Sequence, residues 1–94
     1  MDDNSDDLIK RMSDHYSSMS KGQKKLAAYI TAHYDTAVFM TAAKLGKTVG
    51  VSESTAVRFA SLLGYDGFPE FHKALEEVVK DKLRSIDRIE INNA

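Results

Sequence analysis

Ninety-four residues without a cysteine bound the chain to one domain, with a radius of gyration of about 12 Å if compact, and exclude a large enzyme cleft, a disulfide framework or a thiolate metal site. The N-terminus is acidic with no basic flank leading into an apolar run, and no window approaches the ~20 apolar residues of a membrane span, so a soluble, untargeted protein with no membrane partner is expected. The net charge of −1 is uneven: residues 1 to 7 carry four Asp and no base, residues 8 to 66 eight Lys or Arg against four acids, and residues 67 to 94 five against six.

In chain order, MDDNSDD has no apolar period, and residues 1–7 are expected to form a disordered acidic tail before a single domain, 8–94. Leu8, Ile9, Met12, Tyr16 and Met19 then recur at helical spacing and predict a first amphipathic helix to about Tyr16, loosened by Ser17 and Ser18. Ser20 caps a second helix, KGQKKLAAYITAHY, whose buried stripe is Leu26, Ile30 and either Ala27 or Tyr34. Gly22 falls in its first turn, where glycine is tolerated. Asp35 can cap a short turn, TAVFM, whose Val38, Phe39 and Met40 are apolar, before Thr41 caps the next helix.

The organising stretch runs over 41–64, TAAKLGKTVGVSESTAVRFASLLG. Leu45 and Val49 share one face of a first short helix, and Gly50 can take the left-handed backbone that ends it. Ser52 is a good N-cap for a second helix, and Glu53 sits in its first turn, where the dipole favours an anion. Within it Ala56, Phe59 and either Ala60 or Leu63 can pack back on Leu45 and Val49, while Gly46 and Ala56 are small enough to let the axes approach. Ser54, Thr55, Arg58 and Ser61 lie opposite, and with Ser52 and Glu53 they make a polar surface one helix wide. That is the pattern of a helix-turn-helix that reads the major groove. The same spacing also serves an αα-hairpin that is only scaffold.

After the motif, GYDGFPEF is a turn, and Pro69 suits the first position of a new helix because its missing N–H is needless there. A long helix over 69–90 follows, with Phe71, Leu75, Val78, Val79, Leu83, Ile86 and Ile89 at three- and four-residue steps. This stripe outruns a small core. Its far end, Val79 to Ile89, predicts self-association, through this helix or the first one, into a two-fold homodimer suited to a palindromic operator. No segment alternates as a strand. The fold class is therefore all-α, a compact bundle of five to six helices containing the helix-turn-helix, of homeodomain-like or winged-helix type.

SKGQKKLAAYI, then LGKTVGVSESTAVRFASLLGYDGFPEFHKAL, resembles the N-terminal domain of the RpiR family of bacterial transcription regulators. The VGVSESTAVRF turn and helix and the LGYDGFPEF run carry the resemblance most specifically, since generic helix-turn-helix domains do not share the second. It implies a DNA-binding domain that in full-length members precedes a sugar-isomerase-type domain binding a phosphosugar effector. That second domain is absent from these residues, so the chain is similar to a separately produced or truncated N-terminal domain, and any effector would act only through the missing part. Carried over residue by residue, the family's recognition helix falls on Ser52 to Leu63.

Arg58 is then the foremost base contact, because a guanidinium can give two parallel donors to O6 and N7 of guanine. Ser54 and Thr55 can serve base or phosphate, with Ser52 and Ser61 on the same face. Glu53 can accept from a cytosine amino group or simply complement the dipole. Thr41, Lys44 and Lys47 at the first motif helix, and Lys21, Lys24 and Lys25 before it, are candidates for phosphates. His15, His33 and His72 lie on different helices without metal-ligand spacing, and the acids Glu76 and Glu77 read as a solvated pair, so no cofactor, metal or catalysis is expected. A helical interaction or dimerisation module without DNA readout is the alternative function, and an RNA binder is a third; the RNA reading lacks exposed aromatic platforms, since the tyrosines and phenylalanines mostly fit the core stripes.

Overall fold

The computed structural model describes residues 3–93, with side chains described from Asp7 to Leu83. Six α-helices are present among these residues: α1 (Asp3–His15), α2 (Lys21–Ala32), α3 (Tyr34–Ala37), α4 (Ala42–Val49), α5 (Glu53–Leu62) and α6 (Phe68–Asn93), with a 3₁₀ turn at Tyr16–Ser18 after α1. No strand occurs among the described residues, so the all-α class expected holds there and no wing is present among them.

The first difference from the sequence reading is at the start. α1 begins at Asp3 rather than Leu8, so the acidic stretch joins the helix. Met1 and Asp2 lie outside the described residues. Of the predicted α1 stripe, Leu8, Met12 and Met19 are buried, whereas Ile9 and Tyr16 are exposed. The 3₁₀ turn opens at Tyr16 and carries its ring out of the stripe, and the Lys24 ammonium sits 5.1 Å from the ring centre.

α2 starts on a reciprocal cap, since the Ser20 hydroxyl accepts from the Gln23 N–H at 3.2 Å and the Gln23 side chain accepts from the Ser20 N–H at 2.9 Å. Leu26, Ala27, Ile30 and Tyr34 are all buried, so both options left open by the spacing are filled, although the helix expected to run to Tyr34 breaks at His33 and Tyr34 opens α3. The same holds in α5, where Ala56, Phe59, Ala60 and the following Leu63 are all buried. A helix wedged between two neighbours buries a wider arc than one face.

α6 is pinned at its start by Phe71, which is fully buried. Phe59, Tyr65 and Phe68 surround it with ring centres 5.9, 6.0 and 5.4 Å away, within the range of favourable edge-to-face and tilted pairs. α6 packs on α1 and on α5, and α4 packs on α5. Its 26 residues span about 39 Å. The radius of gyration is accordingly 13.8 Å and the longest extent 46 Å, above the compact expectation because α6 runs on well past Val78, the last fully buried residue among those whose side chains are described.

Candidate nucleic-acid interface

The geometry of the motif is set by two caps and a glycine turn. Thr41 holds extended backbone and its hydroxyl accepts from the Lys44 N–H at 3.1 Å, starting α4. α4 ends at Gly50, whose φ of +92° is the left-handed conformation expected there. The N–H groups of Gly50 and Val51 both close on the Gly46 carbonyl at 2.8 Å, which turns the chain sharply. Gly46 matters for a different reason from the one its spacing suggested. A side chain there would put Cβ 2.8 Å from the Val51 carbonyl oxygen and 3.0 Å from that of Ser52, so it is the turn's own backbone, more than the axis of α5, that needs the missing Cβ.

Ser52 then starts α5, accepting from the Thr55 N–H at 3.1 Å. This fixes where each side chain points. Glu53, Ser54, Val57, Arg58 and Ser61 are exposed, and the residues at 54, 57, 58 and 61 are one outward stripe at helical spacing. Ser52 is exposed too, with its hydroxyl engaged in the cap. Thr55 departs from the expected polar face: it is half-buried, its Oγ1 lies 2.9 Å from the Ser52 Oγ, and its methyl stands 3.5 Å from where a Cβ on Gly22 would be. Thr55 thus joins α5 to α2, and Gly22 is where α2 comes close, which its place in a first turn did not reveal.

The far end of α5 is held by a residue that sequence reasoning did not single out. Arg11, from α1, donates through Nη1 to the Leu63 carbonyl at 2.9 Å, pairs through Nε with the Asp7 carboxylate at 2.9 Å, and stacks its guanidinium 4.6 Å from the Tyr65 ring centre. A cation at a helix C-terminus complements the dipole. Gly64, at φ +93°, completes this end, with the Tyr65 N–H on the Ala60 carbonyl at 3.1 Å and the Gly64 N–H on that of Ser61 at 2.9 Å. Tyr65 carries a consequence: burial pushes its phenol pKa above the ordinary 10, with Arg11 opposing and Asp7 reinforcing the shift. Its hydroxyl is buried with no hydrogen-bond partner among the described residues.

The cations sort by position. Lys10, Arg11, Lys73 and Lys80 each have a carboxylate within 4.0 Å. Among the described residues Lys21, Lys25, Lys44, Lys47 and Arg58 have none and are exposed; Lys24 is half-buried over Tyr16. Apart from Lys82 of α6, which stands over the Tyr34 ring, the unpaired cations of the described residues lie on α2, α4 and α5. Val57 was missed because the polar-face count passed over apolar residues, although its position three beyond Ser54 and four before Ser61 places it on that face. It is exposed, and with Glu53, Ser54 and Arg58 it lines a shallow depression on α5.

Elsewhere, Phe39 is 88% exposed, so the TAVFM turn presents an aromatic to solvent, against the expectation that the aromatics serve the core. His72 reaches the Val38 carbonyl through Nε2 and lies 4.0 Å from Glu76. No group of three potential metal ligands and no helix long and apolar enough to cross a membrane occurs among the described residues.

Residues 7–82 match the model of the helix-turn-helix domain of the rpiR family. The chain is 37% identical over 77 residues to YfhH of Escherichia coli, an uncharacterised HTH-type transcriptional regulator, covering 82% of this chain and 27% of that one. A second uncharacterised HTH-type regulator, from Haemophilus influenzae, is 30% identical over 79 residues, and a third, from Clostridium perfringens, 27% over 75, each aligned over 27% of its length. This chain thus matches about a quarter of the length of these relatives. No solved structure matches it.

Proposed function

The chain belongs to the rpiR family of helix-turn-helix domains, and from that premise we propose that it is the sequence-reading domain of a bacterial transcription regulator, with α5 laid in the major groove. The observation that carries the reading is the outward stripe of α5. Glu53, Ser54, Arg58 and Ser61 project from a helix locked at both ends, and Arg58 has no carboxylate partner among the described residues. A rigid helix with a free guanidinium is what bidentate reading of guanine needs. Lys44, Lys47 and the hydroxyl of Thr41 flank it from α4, and Lys21 and Lys25 from α2, where they suit the phosphates on either side.

The domain acts in this reading as a homodimer on a palindromic operator, joined through the end of α6, where Leu83 is 57% exposed. The genes controlled are those of sugar or phosphosugar metabolism, with the effector bound by a further domain and not by these helices. Catalysis has no part in it, since the relatives are transcription regulators. The working compartment is the cytoplasm.

Selection of duplexes from a random library, followed by binding at several salt concentrations, tests the proposal. Enrichment of one inverted repeat, bound at least a thousandfold tighter than unrelated DNA, is expected. Equal affinity for every duplex would make it a non-specific DNA binder, and no binding at all would leave only a helical interaction module.

A further inference from the structure

Val57 is the only apolar residue among the exposed positions of α5, and it is flanked by three polar ones. Glu53 and Ser54 stand one turn before it, Arg58 beside it, and together the four line a shallow depression in the outward face. Water there meets a branched hydrocarbon between a carboxylate and a guanidinium. A helix whose function ended at phosphate contacts would have no use for that arrangement, since phosphates are held by charge and hydroxyls. The edge of a base pair offers one apolar group in the major groove, the C5-methyl of thymine.

We infer that Val57 is a specificity-determining residue that packs on a thymine methyl next to the guanine read by Arg58. The inference rests on the proposed major-groove docking of α5 and deepens it: each half-site should hold a G and a T one or two steps apart, read from adjacent positions on one helix turn. The geometry suits the pairing. Side chains at 57 and 58 differ by about 100° around the helix axis, so the longer guanidinium reaches a neighbouring base while the short isopropyl group touches the pair directly beneath it. Burying one methyl on Val57 corresponds to about a fourfold gain in affinity.

The test uses the full 94-residue chain and its Val57→Ala variant, each taken through selection from the same random library. Alanine is the better helix former, so the variant keeps α5. The wild-type pool should show a thymine beside the guanine, and the Val57→Ala pool should keep the guanine and lose the thymine. The duplex recovered with wild type is then remade with deoxyuridine at that one position, which removes the methyl and nothing else. Wild type should bind it about fourfold more weakly, and Val57→Ala should not distinguish the two duplexes. If both proteins respond equally to the missing methyl, or neither does, Val57 does not read it, although the operator stands and α5 docks as proposed. If neither protein enriches any sequence, the major-groove reading fails and the Val57 assignment falls with it.

Discussion

Arg58 and Lys47 are both exposed cations without a carboxylate partner among the described residues, yet they should behave differently. Arg58 sits on the outward stripe and Lys47 on the flank of α4. Arg58→Ala should lower specific affinity by about 1–3 kcal/mol with the melting temperature unchanged, while Lys47→Ala weakens all duplexes alike and reduces the salt slope by about one. A loss of thermal stability in Arg58→Ala as large as that of Phe59→Ala would make Arg58 structural. Tyr65 bears on stability instead. Its phenol pKa is raised above 10, first by burial, and so is that of Tyr34, also by burial. The neutral phenols contribute stability below pH 10 that is lost as pH climbs through the folded-state values. Tyr65→Phe removes one of these groups and an unpartnered buried hydroxyl. It should raise stability by about 1 kcal/mol near neutrality and make alkaline unfolding shallower, as denaturant titrations between pH 7 and 11 would measure. A lower stability at neutral pH would mean that the hydroxyl has a partner.

At the scale of the elements, what matters is that α5 is fixed relative to α4 by a turn whose two glycines act by different physics. Gly50 has open space around its missing Cβ but a φ of +92°, whereas Gly46 has helical backbone and two carbonyl oxygens within 3.0 Å. Gly50→Ala therefore meets only the left-handed penalty of about 1–2 kcal/mol. Gly46→Ala gains about 1 kcal/mol of helix propensity but opens the turn, so its loss should appear more in operator affinity than in the urea midpoint. Equal affinity losses for the two variants would show that the turn relaxes without moving α5. The caps at Ser52 and Thr41 and the left-handed Gly50 were legible in the sequence, because each depends on residues one to four positions away. Thr55, Gly22 and Arg11 were not. Thr55 has a helical position that reads as exposed until α2 arrives beside it, and Arg11 reads as a surface charge of α1 until the chain folds back 52 residues later to bring it the Leu63 carbonyl. Sequence spacing records what a helix does alone; which flank a neighbour covers is settled by tertiary packing.

For the whole molecule, the open matter is the length of α6. Its apolar period was plain in the sequence, and Phe71, Leu75 and Val78 are buried as that period requires. Beyond them the body of the bundle gives out. Val79 is half-buried and Leu83 exposed beside a depression lined by Thr31, Tyr34, Asp35 and Lys82; the side chains of Ile86 and Ile89, which complete the predicted stripe, lie outside the described residues. Lys82 places its ammonium 4.9 Å from the Tyr34 ring centre, so this side of the depression is polar at its rim and apolar beneath, the composition of a contact patch more than of plain surface. A two-fold partner packed along α6 would hold two copies of α5 apart, and successive major grooves on one face of a duplex lie about 34 Å apart. The part of α6 beyond Val78 spans only about 22 Å, so two such arms paired about the two-fold, together with the bodies they join, would set that spacing. Sedimentation of the chain should therefore show a dimer whose population rises with concentration, and Leu83→Lys should shift it to monomer with less than about 0.5 kcal/mol change in the stability of the fold, as for most exposed substitutions. The same variant should bind a single half-site as wild type does and lose the advantage of the inverted repeat. A wild-type chain that stays monomeric at millimolar concentration, or a Leu83→Lys variant that remains dimeric, would remove α6 from the assembly and leave the spacing of half-sites to some other part of the protein.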